Sequence, residues 1–589
     1  MELKENNTKK RRDYSKVFKG LISYVKPHWP WLLLAFALIV SSRIIALLGP
    51  LFSGRAIDAM RLGEGQVELA NAQKQAIYML LAYVFSGLIM YIVSRLMVRI
   101  SQRIMVHMRQ DTFNKIVDLP LSYIDTHQAG DLVSRISYDL DLVSQSITHD
   151  ILQVGASFIT IFGALYMMFR ISVELSLMFL LIIPVTVLFT IYRVKRTRPL
   201  FSRRSKKLGE MNGYVEEILN GQKTIQAYEK EDYFSDQFYE HNADSIDAYY
   251  QADYQAALNG PSIMLISNLS LALVTMFGAI LFVQGNFSIG FLSSFILYSR
   301  QFSGPINDIA NIVAELQSAL SALDRVFSLH EHPSEKADKP DAITLTDVKG
   351  RVEFDNVSFG YDDKNLVLKN MSIQAEPGQL VAIVGPTGAG KTTIINLLMR
   401  FYDPNQGHIR IDGHDSQDVT RQSLRRSFAM VLQDAWLFKG SIRDNIAYGR
   451  PEASLEEIKK VAEACHIDDF IQSQPDGYDA IIDDGADNLS QGQKQLLTIA
   501  RAMLLDSPIL ILDEATSNVD SRTEANIQDA MNKLIEGRTS FVIAHRLSTI
   551  QNADKIILIK DGEIKEEGSH QELLDKEGAY ADLFQAQFV

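Results

Sequence analysis

The stretch Gly385-Pro386-Thr387-Gly388-Ala389-Gly390-Lys391-Thr392, followed by Thr393, fits G-x-x-x-x-G-K-[ST]. Glycines let backbone N–H groups approach phosphate oxygens, and a helix beginning there adds partial positive charge. Lys391 would reach the β/γ-phosphates and the Thr392 hydroxyl would ligate Mg²⁺. A Gly-rich turn bearing a surface lysine is the simpler reading. Context argues against it: the apolar run Leu380–Val384 precedes as a buried strand, and Thr393–Met399 follows as a helix. Ile509–Leu512 is a second buried strand, ending in Asp513-Glu514. Ligand sites lie at the carboxyl ends of parallel strands. There Asp513 would hold Mg²⁺ through water and Glu514 would accept a proton from attacking water. Ser540–Ala544 delivers His545, and Val431-Leu432 delivers Gln433, a neutral side chain suited to Mg²⁺ or the water. A lone histidine is usually structural, but at this strand end a γ-phosphate contact is favoured.

These residues require a sheet to position them. Arg351–Phe359 alternates like a half-buried strand and delivers Gly360-Tyr361. Tyr361 could stack on a base; alone it reads as a packing tyrosine. Ile556–Ile559, Asp561-Gly562 and Glu563-Ile564 read as a hairpin. Asn488–Gln493 opens a helix expected over Lys494–Leu505, and a serine with backbone amides at a helix start makes a second anion site. One nucleotide does not need two such sites from one chain, so this one is expected to cap the nucleotide of another subunit.

At 589 residues the chain is too long for one core. Its net charge of −13 argues against a nucleic-acid partner, and its single cysteine, Cys465, excludes an intramolecular disulfide. The first half carries long apolar runs: Trp31–Phe52, Ala76–Val93, Ile151–Phe169, Val173–Tyr192, Ser262–Val283 and a sixth beginning at Ile289. Most approach the ~20 residues that span a bilayer core, so six spans are expected. The basic cluster Lys9–Arg12 is not followed by a cleavable-signal pattern. Arg95, Arg99, Arg103 and Arg109 lie in one long connection, and Arg193, Lys195, Arg196, Arg203 and Lys206 in another. By the positive-inside rule both termini are cytoplasmic. Helical spacing over Arg99–Leu119 and Lys207–Asp232 extends these spans beyond the membrane. Their tips, at Tyr123–Arg135 and Asn220–Asp232, read either as docking points or as ordinary helix turns. Arg43 is awkward for lipid. Gln301, Asn307, Asp308 and Asn311 turn the sixth span polar, and Phe291, Phe295, Tyr298 and Phe302 form a stripe that either packs helices or faces a substrate.

Together these residues resemble an ATP-binding cassette (ABC) transporter, a half-transporter of the exporter type, from about Tyr14 to Gln587. Matching positions are the Walker A loop Gly385–Thr392, the A-loop Tyr361, the Q-loop Gln433 and the Walker B acids Asp513 and Glu514. The signature Leu489-Ser490-Gln491-Gly492-Gln493, the D-loop Ser517-Asn518-Val519-Asp520 and the switch His545 complete the set. The resemblance implies an all-α six-helix membrane domain over 1–329, a linker over 330–349, and an α/β P-loop ATPase domain over 350–589. It implies ATP and Mg²⁺ as cofactors. ATP would meet Tyr361 and Gly385–Thr393; Mg²⁺ would meet Thr392, Gln433 and Asp513; Glu514, His545, Gln433 and Lys391 would be catalytic. It further implies two chains in a bilayer with two ATPs sandwiched head to tail, and cytoplasmic helix tips that couple the domains.

The family signature usually reads Leu-Ser-Gly-Gly-Gln, and Gln491 here replaces the first glycine. With Glu514 and His545 intact, that departure resembles the catalytically intact subunit of heterodimeric bacterial multidrug exporters. The expectation is therefore an ATP-driven exporter of amphipathic compounds in the plasma membrane of a bacterium, paired with a different half-transporter. Lipid or peptide export and a homodimer are the alternatives. An ATP-gated channel is a different class, disfavoured by the complete Asp513/Glu514/His545 set.

Overall fold

The structure, a computed structural model, describes residues 14–60, 68–284, 288–362, 365–433, 435–486, 488–513, 520–544 and 550–588. The chain divides into two compact units: Met1–Val117 with Ala129–His332, and Asp118–Gln128 with Pro333–Val589. The short helix α4 (Leu121–Thr126), which overlaps the start of the first expected tip, therefore packs with the C-terminal unit although the chain around it belongs to the N-terminal one. The basic cluster Lys9–Arg12 and the connection 285–287 lie outside the described residues.

The N-terminal unit is helical. Helices α1 (Tyr14–Val25), α2 (Trp29–Asp58) and α3 (Leu69–Val117) open it. Helices α5 (Ala129–Ser134), α6 (Leu140–Gln145) and α7 (Ile151–Ile171) run together through π-helical turns at Arg135–Asp139 and Ser146–Asp150. Then come α8 (Val173–Ala227), α9 (Glu231–Ala257), α10 (Asn259–Val283) and α11 (Ile289–Glu331). Among the described residues four helical stretches are long and apolar enough to cross a bilayer: Lys16–Asp58, Leu69–Val117, Ala129–Ile171 and Glu231–Val283. The other two expected spans fall on α8 and α11. Both expected extensions are helical, and the breaks are tighter than the sequence suggests. Gly130–Arg135 is already helix, and α8 continues to Ala227 before a turn at 228–230.

Packing in this unit follows from small residues and from serine caps. Ser172 and Ser288 cap α8 and α11 by accepting from the N–H groups of Leu175 and Phe291. A Cβ on Gly290 would lie 2.1 Å from the Gly54 carbonyl oxygen, so α2 and α11 approach backbone to backbone. Near Pro50, which supplies no N–H, α11 fastens α2: Ser294 Oγ donates to Pro50 O at 2.8 Å and Tyr298 OH to Leu47 O at 2.6 Å. Phe295, Tyr298 and Phe302 are buried, and Phe302 meets Phe179 edge to face at 5.3 Å. This part of the aromatic stripe packs helices; Phe291 stays exposed.

In the C-terminal unit, β3 (Leu380–Val384) is the middle of a six-stranded sheet. Counting β1 (Val352–Phe359), β2 (Leu368–Ala375), β4 (Gln406–Ile411), β5 (His414–Asp415), β6 (Phe428–Val431), β7 (Gly440–Ser441), β8 (Ile481–Ile482), β9 (Ile509–Asp513), β10 (Thr539–Ile543), β11 (Lys555–Lys560) and β12 (Glu563–Gly568), its order is β12-β11-β3-β10-β9-β6. The pairs β11–β3, β3–β10, β10–β9 and β9–β6 are parallel. The hairpin β11–β12 forms as its sequence predicts, with Asp561 and Gly562 at its turn. A four-stranded antiparallel sheet, β2-β1-β4-β5, shares a core with one face of the parallel sheet, and helices cover the other. Strands β3, β9 and β10 are almost wholly buried, as continuous apolar runs require. Cys465 is buried among the covering helices, and burial pushes its thiol up to about 12, which leaves it inert.

One ion pair in the N-terminal unit is lopsided. Asp139 is 2% exposed and receives Arg325 through both carboxylate oxygens, whereas about half of the arginine side chain meets water. Arg325→Met strands a buried carboxylate and should cost ~3 kcal/mol, while Asp139→Ala frees an arginine that solvent reaches and should cost ~1 kcal/mol. Thermal unfolding of the two purified variants in detergent should rank them in that order; equal losses would contradict it.

Candidate active site

The site is built where β3 gives way to α12 (Lys391–Leu398). Gly385 leaves the strand with φ 153° beside β11, and a Cβ there would lie 2.2 Å from the Ile559 carbonyl oxygen. Only glycine fits, so the loop can turn back over the sheet. Gly390 caps α12 in a left-handed conformation. Lys391 folds back across the loop, its Nζ donating to the carbonyl oxygens of Gly385 at 2.7 Å and Pro386 at 3.1 Å. Burial holds its ammonium below the ordinary lysine range, against an opposing pull from Asp513. An anion beside it would favour the charged form further.

A cavity of about 440 Å³ opens over this turn, lined by Val367, Thr387, Gly388, Gly390, Lys391, Thr392, Thr393, Gln433, Asp513 and Ile543. Residues from β3–α12, the end of β9, the end of β10 and the segment after β6 thus converge at the carboxyl edge of the parallel strands. Pro386 is exposed on the loop, and Ala389 is buried beneath it. Glu514, Ser517, Asn518, Val519 and His545 lie outside the described residues. Asp520 is described: its carboxylate caps α18 (Ser521–Ile535) by accepting from the N–H groups of Thr523 and Arg522, which holds it below the usual carboxylate range.

Tyr361 stands beside α12. Its hydroxyl pairs with Thr393 Oγ1 at 3.2 Å and accepts from Asn396 Nδ2 at 3.1 Å, and its ring meets Phe359 and Tyr402 edge to face, each at 5.1 Å. The ring is half exposed and so open to stacking. Tyr402 was not legible as a site residue in the sequence. Its hydroxyl donates to Asp125 of α4 at 2.7 Å, so one aromatic contact joins Tyr361 to α4. The aromatic pair Phe401-Tyr402, three residues past the end of α12, is its only sequence signal.

The segment Leu489–Gln493 does not line this cavity. Helix α17 (Gln491–Leu505) begins three residues earlier than expected, because Ser490 and Gln493 close a capping box: Gln493 N donates to Ser490 Oγ at 3.3 Å and Ser490 N to Gln493 Oε1 at 2.8 Å. Leu489 and Gly492 are buried, while Ser490 and the side chain of Gln491 are exposed.

A glycine-rich loop, a lysine, a threonine and a strand-end aspartate around one cavity define a P-loop nucleotide-hydrolysing domain, here in one chain with apolar membrane-length helices. Residues 32–306 match the family described as ABC transporter transmembrane region, and residues 368–517 match ABC transporter. The chain is 40% identical over 588 residues to an uncharacterized ABC transporter ATP-binding protein, YfiC, of Bacillus subtilis, covering 99% of this chain and 97% of that one. It is 41% identical over 532 residues to a fatty acid ABC transporter ATP-binding/permease protein of Mycobacterium bovis, covering 90% of this chain and 84% of that one. A solved structure of a bacterial Atm1-family ABC exporter with ATP bound superposes with a TM-score of 0.77 at 30% identity, over 95% of this chain and 98% of that one. The chain belongs to the ABC transporter family. It is an exporter half-transporter, a membrane protein that binds ATP and acts as an ATP-hydrolysing translocase.

Gly385→Ala should lose more than about 2 kcal/mol of stability and most nucleotide affinity, since the clash is with backbone. Gly388→Ala has no neighbour within 4 Å of the added methyl, so only its left-handed φ of 82° penalises it and it should cost less, about 1 kcal/mol. Binding of a fluorescent ATP analogue together with thermal unfolding checks both; equal behaviour would refute the steric argument.

Proposed function

We propose that this chain is the hydrolytically competent half of a heterodimeric exporter that moves amphipathic compounds out across the plasma membrane of a bacterium, with both termini cytoplasmic. The observation that carries this reading is the meeting of a lysine, a threonine, a glutamine and an aspartate on one cavity, in a chain whose signature is altered. Lys391 and Thr392, at the head of α12, share that cavity with Gln433 and Asp513. In the sequence Glu514 directly follows Asp513, and His545 comes two positions after the end of β10.

The fit to Mg²⁺ rests on the donor set. A hydroxyl, an amide oxygen and a carboxylate line the same cavity, all hard oxygen ligands. Among the described residues no group of three or more His, Cys, Asp and Glu could hold a metal by itself. That agrees with an ion held partly by substrate phosphates. When bound, Mg²⁺ would neutralise charge developing on the β- and γ-phosphates. The chain's own residues do the rest. Loop N–H groups and Lys391 bind and orient the triphosphate, and Tyr361 stacks on the base. Glu514 takes a proton from the attacking water, and His545 steadies the γ-phosphate. The D-loop Ser517–Asp520 and the partner's signature would close over it.

The altered signature supports the choice of partner. Gln491 places an exposed side chain at the first position of α17, where the usual glycine would let another chain's phosphates approach the helix start. This chain's signature then completes a weaker second site on a different half-transporter, and the hydrolytic site borrows that partner's intact signature. The fatty acid transporter among the relatives supports lipid-like substrates as the second reading of cargo.

Glu514→Gln should lower steady-state hydrolysis by at least about 100-fold while ATP binding persists; retention of most turnover would remove Glu514 from this role. Expressed alone, the chain should form a poorly active dimer, and Gln491→Gly should raise that activity. A fully active self-dimer would overturn the heterodimer.

A further inference from the structure

A cavity in the N-terminal unit takes no part in the nucleotide chemistry. It measures about 140 Å³ and is lined by His28 and Trp31, at the start of α2, and by Leu96, Arg99, Ile100 and Arg103 of α3. Arg99 and Arg103 are one helical turn apart, so both guanidinium groups lie on one face of α3. Both are exposed, and neither has a carboxylate partner among the described residues. Nearby cations are spoken for: Arg95 donates to Tyr91 OH at 3.1 Å and lies over that ring, and Arg109 pairs with Asp141. Arg99 and Arg103 thus stand side by side with no anion.

The depth of the cavity follows from the same helices. The apolar run of α3 ends at Val93; Arg99 and Arg103 lie about 9 and 15 Å further along the axis, and their long side chains lean back toward the helix N-terminus, hence toward the apolar run. That is within reach of a headgroup layer roughly 5–8 Å deep. From the other helix, Trp29 and Trp31 are 59% and 51% exposed, as interfacial tryptophans are. Phe18 and Ile22 of α1 are exposed too, while Val17 on its other side is buried, so α1 offers an apolar face at the same level.

We propose that this cavity holds the headgroup of an anionic phospholipid from the leaflet next to the start of α2. The phosphate lies between Arg99 and Arg103, and the glycerol end and acyl chains run along Trp31, Leu96 and Ile100. Charge complementarity selects the occupant. Two unpaired guanidinium groups repel cations, and the apolar floor offers nothing to a free inorganic anion but much to a lipid. The lipid would bridge the first two long helices at the point where the chain enters the membrane. It is a site separate from cargo and nucleotide.

The test uses the purified full chain in detergent, titrated with phosphatidylglycerol or phosphatidylcholine of matched acyl chains, with lipid adducts counted by native mass spectrometry. The wild type should prefer phosphatidylglycerol by about 30-fold, roughly fivefold per arginine. The double variant Arg99→Gln/Arg103→Gln should bind the two lipids alike, and Arg99→Lys/Arg103→Lys should keep most of the preference. Should the double glutamine variant not fold, each single variant should lose about fivefold. A wild type that binds both lipids equally would overturn the proposal, as would glutamine variants that keep the preference or lysine variants that lose it. Competition by inorganic phosphate as effective as that by phosphatidylglycerol would instead mark a soluble-anion site and overturn the lipid.

Discussion

Everything in the C-terminal unit depends on one close approach, the backbone of Gly385 against the backbone of Ile559. A phosphate must be met by N–H groups rather than by side chains alone, so the loop after β3 has to fold tightly over the sheet's edge. That is possible only if nothing projects from the first loop residue. The neighbouring parallel strands then bring the remaining groups to the same edge, Asp513 from β9 and Ile543 from β10, with Gln433 just past β6. The order β11-β3-β10-β9-β6 is thus the device that assembles distant parts of the sequence around one turn.

The N-terminal unit solves a different problem. Where lipid offers no hydrogen bonds, helices must satisfy one another, and α2 shows how. Its carbonyls near Pro50 take donors from Ser294 and Tyr298, and its glycine lets α11 touch it directly. Burial of Phe295, Tyr298 and Phe302 accompanies that contact.

Sequence patterns announce strands and loops well where the chemistry demands a particular residue. The strand Leu380–Val384, the strand over Ile509–Leu512 with Asp513 at its end and the hairpin turn at Asp561-Gly562 all stand as read. Boundaries set by side-chain caps are less legible. Ser490 could be read as an anion donor or as a cap, and its bond with Gln493 starts α17 at Gln491 rather than Lys494. Contacts between segments far apart in the chain leave no local trace. Nothing around Tyr402 predicts Asp125, because their meeting depends on how the whole unit closes. Similarly, the stripe Phe291–Phe302 has the same spacing whether it packs or binds, and only neighbours from other helices decide.

The membership of Asp118–Gln128 in the C-terminal unit has a consequence for how the protein is made. Asp125 and Tyr402 are separated by 277 positions. At translation rates of about 5–20 residues per second, α4 leaves the ribosome roughly 14–55 s before its acceptor face exists. Throughout that interval the membrane helices on either side of α4 are being inserted while its docking surface is still unsynthesised. Biogenesis of this chain therefore cannot proceed strictly from one end to the other. The first half stays unfinished until the last sheet closes.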